Sequence, residues 1–250
     1  MLTPPEIARS LLAAGESKAR LPFGKMLLLA ILAGAYIALA GVGATAAAVT
    51  VESGSLAKLL SACVFPAGLS MVILAGSELF TGNCLMVMAL LERRITPAQL
   101  LCNWLTVYLG NAVGGAAVAA LAVYSHTASL FGDGLARSMV SIAESKAALG
   151  AGDAFLRGVL CNFLVCLAVW MAAASKRAEG KVIALFFPIL LFVLCGYEHC
   201  IANLYYLPAG AFAAAEYGME TTLTLAGCLK NLAAVTLGNL VGGAALGVGY

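Results

Sequence analysis

The chain has 250 residues, 62% of them hydrophobic and 10% charged, with a formal net charge of +2 at neutral pH and a mean hydropathy of +0.99. A soluble domain carries about 25% charged residues, so the composition excludes an ordinary soluble protein and describes a polytopic membrane protein. The small net charge, and the lack of a basic patch interleaved with aromatics, exclude a nucleic-acid partner.

Residues 4–19 read as a short amphipathic helix lying at the surface, with Ile7, Leu11 and Leu12 on one face and Glu6, Arg9 and Glu16 elsewhere. No Ala-x-Ala-like site precedes the first apolar run, so that run is read as a span and not as a cleaved leader. Six spanning segments follow, at about 23–50, 56–91, 97–124, 153–175, 182–212 and 221–248, each near or above the ~20 residues a bilayer requires. The predicted fold is an all-α membrane protein in one domain: residues 1–22 the amphipathic helix, 23–124 a first repeat, 153–250 a second.

Basic residues orient the spans. Arg9, Lys18, Arg20, Lys25, Arg93, Arg94, Lys176, Arg177 and Lys181 fall on one side, and Lys58, Arg137, Lys146, Arg157 and Lys230 on the other. The positive-inside rule then predicts both termini on the cytoplasmic side.

The repeats are visible in two pairs of motifs. Leu109-Gly110-Asn111-Ala112-Val113-Gly114-Gly115 in the third segment matches Leu237-Gly238-Asn239-Leu240-Val241-Gly242-Gly243 in the sixth. The small-xxx-small spacing of these glycines permits close helix packing. Gly76-Ser77-Glu78-Leu79-Phe80-Thr81-Gly82-Asn83 in the second segment matches Gly196-Tyr197-Glu198-His199-Cys200-Ile201-Ala202-Asn203 in the fifth. Repeats of three spans are inverted relative to one another, and paired interruptions in corresponding segments point to a transport path.

Irregular backbone at membrane depth must face protein or a cavity, so helices two and five are predicted to break inside the molecule. The half-helices after the breaks turn partially positive ends inward, which favours an anion there. Asn83 and Asn203 are expected to cap these half-helices, and Glu78 and Glu198 to accept from freed backbone N–H groups. An ionisable residue within a span is a functional candidate by default; His199 is that residue, and Thr81 in the opposite break offers a hydroxyl. The eight cysteines (63, 84, 102, 161, 166, 195, 200 and 228) form no CxxC pair, so no metal site or disulfide framework is expected. No cofactor is implied.

These motifs, with the run Asn162 to Trp170 between them, resemble the formate/nitrite transporter family over essentially the whole chain. The resemblance implies an aquaporin-like six-helix protomer, a homopentamer with one pore per protomer, and passage of small monovalent anions of weak acids. Formate is the first expectation, with nitrite and hydrosulfide as alternatives, in a prokaryotic cytoplasmic (inner) membrane and in contact with its lipid. It further implies a pore centre of His199 and Thr81, and hydrophobic constrictions from Phe65, Leu69, Leu79, Phe80, Val165 and Phe192. Lys146 and Asn162 would line the outer vestibule, and Glu78, Asn83, Glu198 and Asn203 would support the loops. Tyr197 stands where the family commonly has phenylalanine, and Cys200 where it has a small residue such as serine.

Two other classes differ in testable ways. A neutral-solute channel of aquaporin type would carry paired Asn-Pro-Ala signatures, which are absent. A membrane-embedded enzyme would need further ionisable groups near His199, yet the other histidine, His126, falls in a loop.

Overall fold

The polypeptide enters its first helix at Thr3, whose N–H donates to Glu6 Oε2 at 2.7 Å, while Pro4 occupies the first turn, where its missing N–H costs nothing. In this computed structural model, which describes residues 1–250, every regular element is helical. Helix α1 (Pro4–Ala19) is docked and not free at the surface: Ile7 and Leu12 are buried in a cluster with Leu85, Met86, Met88 and Trp170. The Leu2 N–H donates to the Ala174 carbonyl, and Arg94 pairs with Glu16 at 2.9 Å.

The chain continues through α2 (Phe23–Ala48), α3 (Gly54–Val64), α4 (Pro66–Ala75), α5 (Phe80–Asn83), α6 (Val87–Leu91), α7 (Pro97–Tyr124), α8 (Gly134–Ala148), α9 (Ala151–Ala173), α10 (Ala178–Leu194), α11 (Cys200–Glu216) and α12 (Leu225–Gly249). Five stretches are long and apolar enough to cross a bilayer: α2, α3 with α4, α7, α9 and α12. Helices α10 and α11 have 17 residues each, short of the ~20 a single span needs, because the break at Gly196 divides them. The outward faces of the long helices are apolar, with Leu28 on α2, Leu105 and Leu109 on α7, Leu160 on α9 and Leu237 on α12 among many exposed leucines. A membrane protein presents such a surface to lipid or to a neighbouring subunit.

Helix α8 corrects the sequence reading, which left residues 125–152 as a loop. Leu135, Met139, Val140, Ala143 and Ala147 recur at helical spacing and are buried against α11 and α7. That stripe was present in the sequence, but its 15 residues are too polar to register among the spans.

Helices α2 and α7 pack closely, as do α9 and α12. Glycine makes both crossings possible. A Cβ on Gly114 would strike the Ile31 carbonyl, and one on Gly242 the Val159 carbonyl.

Candidate functional site: two broken helices meeting at a waist

Each break begins with a glycine in left-handed conformation, Gly76 at φ 77° and Gly196 at φ 69°. Only glycine adopts that conformation without strain, and a Cβ would find open space at both, so conformation and not crowding demands the residue. Three residues outside any helix follow, the last of them, Leu79 or His199, extended, before the next helix starts.

The freed backbone groups are satisfied from neighbouring helices in two matched sets. In the first break, Asn111 Oδ1 accepts the Phe80 N–H at 3.0 Å, and its amide donates to the Ala30 and Glu78 carbonyls at 2.7 and 2.9 Å. In the second, Asn239 Oδ1 accepts the Cys200 N–H at 2.9 Å, and its amide donates to the Gly158 and Glu198 carbonyls at 2.8 and 2.9 Å. The Glu78 N–H reaches the Leu29 carbonyl and the Glu198 N–H the Arg157 carbonyl. Bonding here is obligatory, since an unpaired buried amide costs about 1–3 kcal/mol.

The motif carboxylates and asparagines form a second tier. Asn83 Nδ2 donates to Glu78 Oε2 at 2.7 Å and to Asn103 Oδ1 at 2.9 Å. Asn203 Nδ2 donates to Glu198 Oε2 and to Asn231 Oδ1, both at 2.7 Å. Each carboxylate also meets a lysine: Lys18 Nζ lies 2.7 Å from Glu78 Oε1, and Lys146 Nζ 2.9 Å from Glu198 Oε1. A buried carboxylate needs such a partner. The expected capping roles are therefore corrected. Asn83 and Asn203 tether glutamates instead of capping helices, and the glutamates accept from side chains. The backbone is held by Asn111 and Asn239, which the sequence reading placed in a packing motif.

His199 caps α11. Its Nδ1 accepts the Ala202 N–H at 3.1 Å, which assigns the proton of a neutral imidazole to Nε2. Nε2 stands 2.9 Å from Thr81 Oγ1 across the two breaks. With that tautomer, Nε2–H donates to the hydroxyl, and the Thr81 proton is left free to donate onward.

Two cavities flank the histidine. The larger, about 570 Å³, is lined by Lys58, Lys146, Arg157, Glu198 and a row of hydroxyls. The smaller, about 10 Å³, is bounded by Ile37, Phe65, Leu69, Leu79, Val165, Ile189, Phe192 and His199. Phe65, Phe192 and His199 line both. The Phe65 and Phe192 rings meet edge-to-face at 5.7 Å, and Phe192 stacks on the imidazole at 5.8 Å. These three side chains form a waist. The inner cavity sits at the ~10–15 Å³ threshold for one water, and His199 is the polar group on its wall.

Five of the six predicted constriction residues thus gather on the inner cavity. Phe80 lines neither cavity and packs edge-on against Tyr108 at 5.1 Å and Trp104 at 6.4 Å. Lys146 is on the vestibule wall. Asn162 is not: it is fully buried, donating to the Thr81 carbonyl at 3.2 Å and the Asn239 carbonyl at 2.7 Å. Its short side chain on α9 faces the α5 break and α12, so it ties Thr81 to α12 from behind. Ile37 and Ile189 were missed, because an isoleucine in an apolar helix carries no signal of the direction it faces.

A waist of this kind, suspended between two broken helices in an apolar bundle, defines a membrane channel or transporter. The formate/nitrite transporter family model matches residues 5–250. The chain is 38% identical to a probable formate transporter of Methanothermobacter thermautotrophicus over 97% of its own length and 93% of the relative's. It is 39% identical to the formate channel FocA of Haemophilus influenzae, covering 86% and 81%. A solved FNT family ion channel superposes with a TM-score of 0.87 at 32% identity, covering 98% of both chains. A pentameric formate channel with formate bound gives 0.81 at 32% identity, covering 91% and 94%. The chain belongs to the formate/nitrite transporter family. It is an integral membrane transport protein and not an enzyme.

Proposed function

We propose that this protein is a pore for small monovalent anions of weak acids, with formate first and nitrite and hydrosulfide as alternatives. The observation that carries the reading is the Thr81–His199 bond, whose histidine borders both a polar vestibule and an apolar inner cavity. The solved relative with formate bound supports formate as substrate and a homopentamer as the assembly. The matched bonds of Asn111 with Asn239, and of Asn103 with Asn231, support two inverted repeats and six aquaporin-like spans. The surplus of basic residues at one end supports an inner-membrane protein with cytoplasmic termini.

A bare anion does not cross the inner cavity cheaply; an isolated carboxylate in low dielectric costs tens of kcal/mol by Born estimates. In the proposed cycle the anion leaves most of its water between Phe65 and Phe192. It then accepts from His199 Nε2–H and from the Thr81 hydroxyl. Full neutralisation moves the Nε2 proton to the anion while a vestibular proton arrives on Nδ1. That displaces the Ala202 N–H until the imidazole returns to its original tautomer. The neutral acid then passes Leu69, Leu79 and Val165 and ionises beyond. Flux into proteoliposomes tests the reading, with formate, nitrite and hydrosulfide at two pH values and glycerol as control. Anion entry without glycerol supports it, and glycerol entry without anions overturns it.

A further inference from the structure

We infer that Lys58 and Arg157, and not Lys146, supply the net positive charge that gathers anions in the vestibule; this rests on the anion reading above. The vestibule wall carries three cations, Lys58, Lys146 and Arg157, and one carboxylate, Glu198. Lys146 is already engaged. Its ammonium binds both Glu198 oxygens, at 2.9 and 3.1 Å, and lies 5.3 Å over the Tyr206 ring. Seen from the mouth, such a pair is nearly neutral, because its field falls off as a dipole and not as a charge.

Lys58 and Arg157 have no such partner. The chain's ion pairs are Lys18–Glu78, Arg94–Glu16, Lys146–Glu198 and Arg177–Glu179, so neither mouth cation is neutralised. They come from different helices, Lys58 from α3 and Arg157 from α9, and both are exposed where they line the cavity. Lys146, Arg157 and Glu198 all lie within electrostatic reach of Lys58. Arg157 is tied to the waist through its backbone, since its carbonyl accepts the Glu198 N–H at 3.3 Å. The lysine, arginine and glutamate charges of the wall therefore sum to +2, carried by the two unpaired groups. The same wall carries a face of hydroxyls from α8, Ser138, Ser141 and Ser145, at the i, i+3, i+7 spacing of one helical stripe. The stripe gives an arriving anion neutral donors as its water is removed.

Charges lining a low-dielectric cleft raise the local concentration of a counter-ion and its entry rate by about 10- to 1,000-fold, and salt abolishes the effect. The test is formate flux into proteoliposomes across a range of formate concentrations, at low and high ionic strength. The proteins compared are the full chain, Lys58→Gln, Arg157→Gln, the double variant, Lys58→Arg, and Lys230→Gln as an exposed cation outside the vestibule lining. At low salt and low formate, each single variant is expected to lose about 3-fold and the double variant about 10-fold. Saturating flux should be preserved and the salt dependence flattened. Lys58→Arg should behave as the unaltered protein, which separates lost charge from lost folding. An unaltered low-formate rate in the double variant overturns the inference, as does an equal loss in Lys230→Gln. Absence of flux of formate, nitrite and hydrosulfide alike in the unaltered protein overturns the anion reading itself.

Discussion

His199 Nε2 and Thr81 Oγ1 stand 2.9 Å apart although 118 residues separate them in the chain. Each side chain hangs from a different broken helix, so the distance between them reports the relative position of the two breaks. Thr81 accepts from the imidazole and keeps one proton to offer. In Thr81→Val the shape persists and the donor is gone. Formate flux in proteoliposomes is expected to fall about tenfold, equivalent to one hydrogen bond to a charged group at roughly 1.5 kcal/mol. The assembly should remain intact by size-exclusion chromatography. Undiminished flux would remove Thr81 from the path.

Asn111 and Asn239 satisfy three backbone groups each inside the membrane. Replacing either by leucine strands a buried N–H and the glutamate carbonyl of the break, at about 1–3 kcal/mol apiece. Either variant is expected to lose several kcal/mol in detergent unfolding, more than Asn83→Leu or Asn203→Leu. The latter leave glutamates still paired with lysine. Equal losses would show that the breaks depend on the glutamate tier and not on the asparagines of α7 and α12.

Gly114 and Gly242 are predicted to be intolerant of even a methyl group. The added Cβ meets backbone of the crossing helix, which cannot rotate away, and overpacking of this kind costs about 1–3 kcal/mol. Gly24→Ala is the control, because nothing lies within 4 Å of its Cβ. Thermal unfolding of the three alanine variants should separate the first two from the third.

The interruptions in helices two and five were legible because Gly-x-Glu-x-x-x-x-Asn twice interrupts an apolar run, and polar atoms are too costly in lipid to be placed there idly. The five long apolar stretches stood out for the same reason. What holds the breaks open was hidden. Phe80 and Asn111 are 31 positions apart, and Lys18 and Glu78 are 60; neither pairing follows from local periodicity. Had α1 and α8 been compared, Lys18 and Lys146 would have appeared as counterparts, since Asn103 donates to the Lys18 carbonyl and Asn231 to the Lys146 carbonyl. Asn162 was misplaced because a polar residue on an apolar helix reads as pore-facing, whereas here it points to another buried backbone.

Glu144 anchors α8, and with it the vestibule wall, to the loop before α12. Its Oε1 accepts the Thr222 N–H at 2.6 Å and the Thr221 hydroxyl at 2.9 Å. The Thr222 N–H, followed by the threonine hydroxyls, holds this carboxyl below the ordinary value of 4.5. A depressed folded-state value adds stability above the unfolded value, and that stability is lost as pH falls through the folded one. Glu144→Ala should therefore lower the unfolding temperature near neutral pH, with the gap to the unaltered protein closing below about pH 4.5. A gap that is constant over that range would contradict an ionised anchor.

The central claim is that a proton is handled at His199. Formate flux should be measured in proteoliposomes at several values between about pH 5.5 and 7.5, across which the supply of vestibular protons changes. The leak of empty liposomes should be subtracted. The unaltered protein should be compared with His199→Asn, which keeps a side chain able to cap α11 but cannot relay a proton. The account predicts flux rising as pH falls in the unaltered protein, and a flat, lower profile in the variant. An identical pH dependence in both would place proton transfer elsewhere and contradict the account.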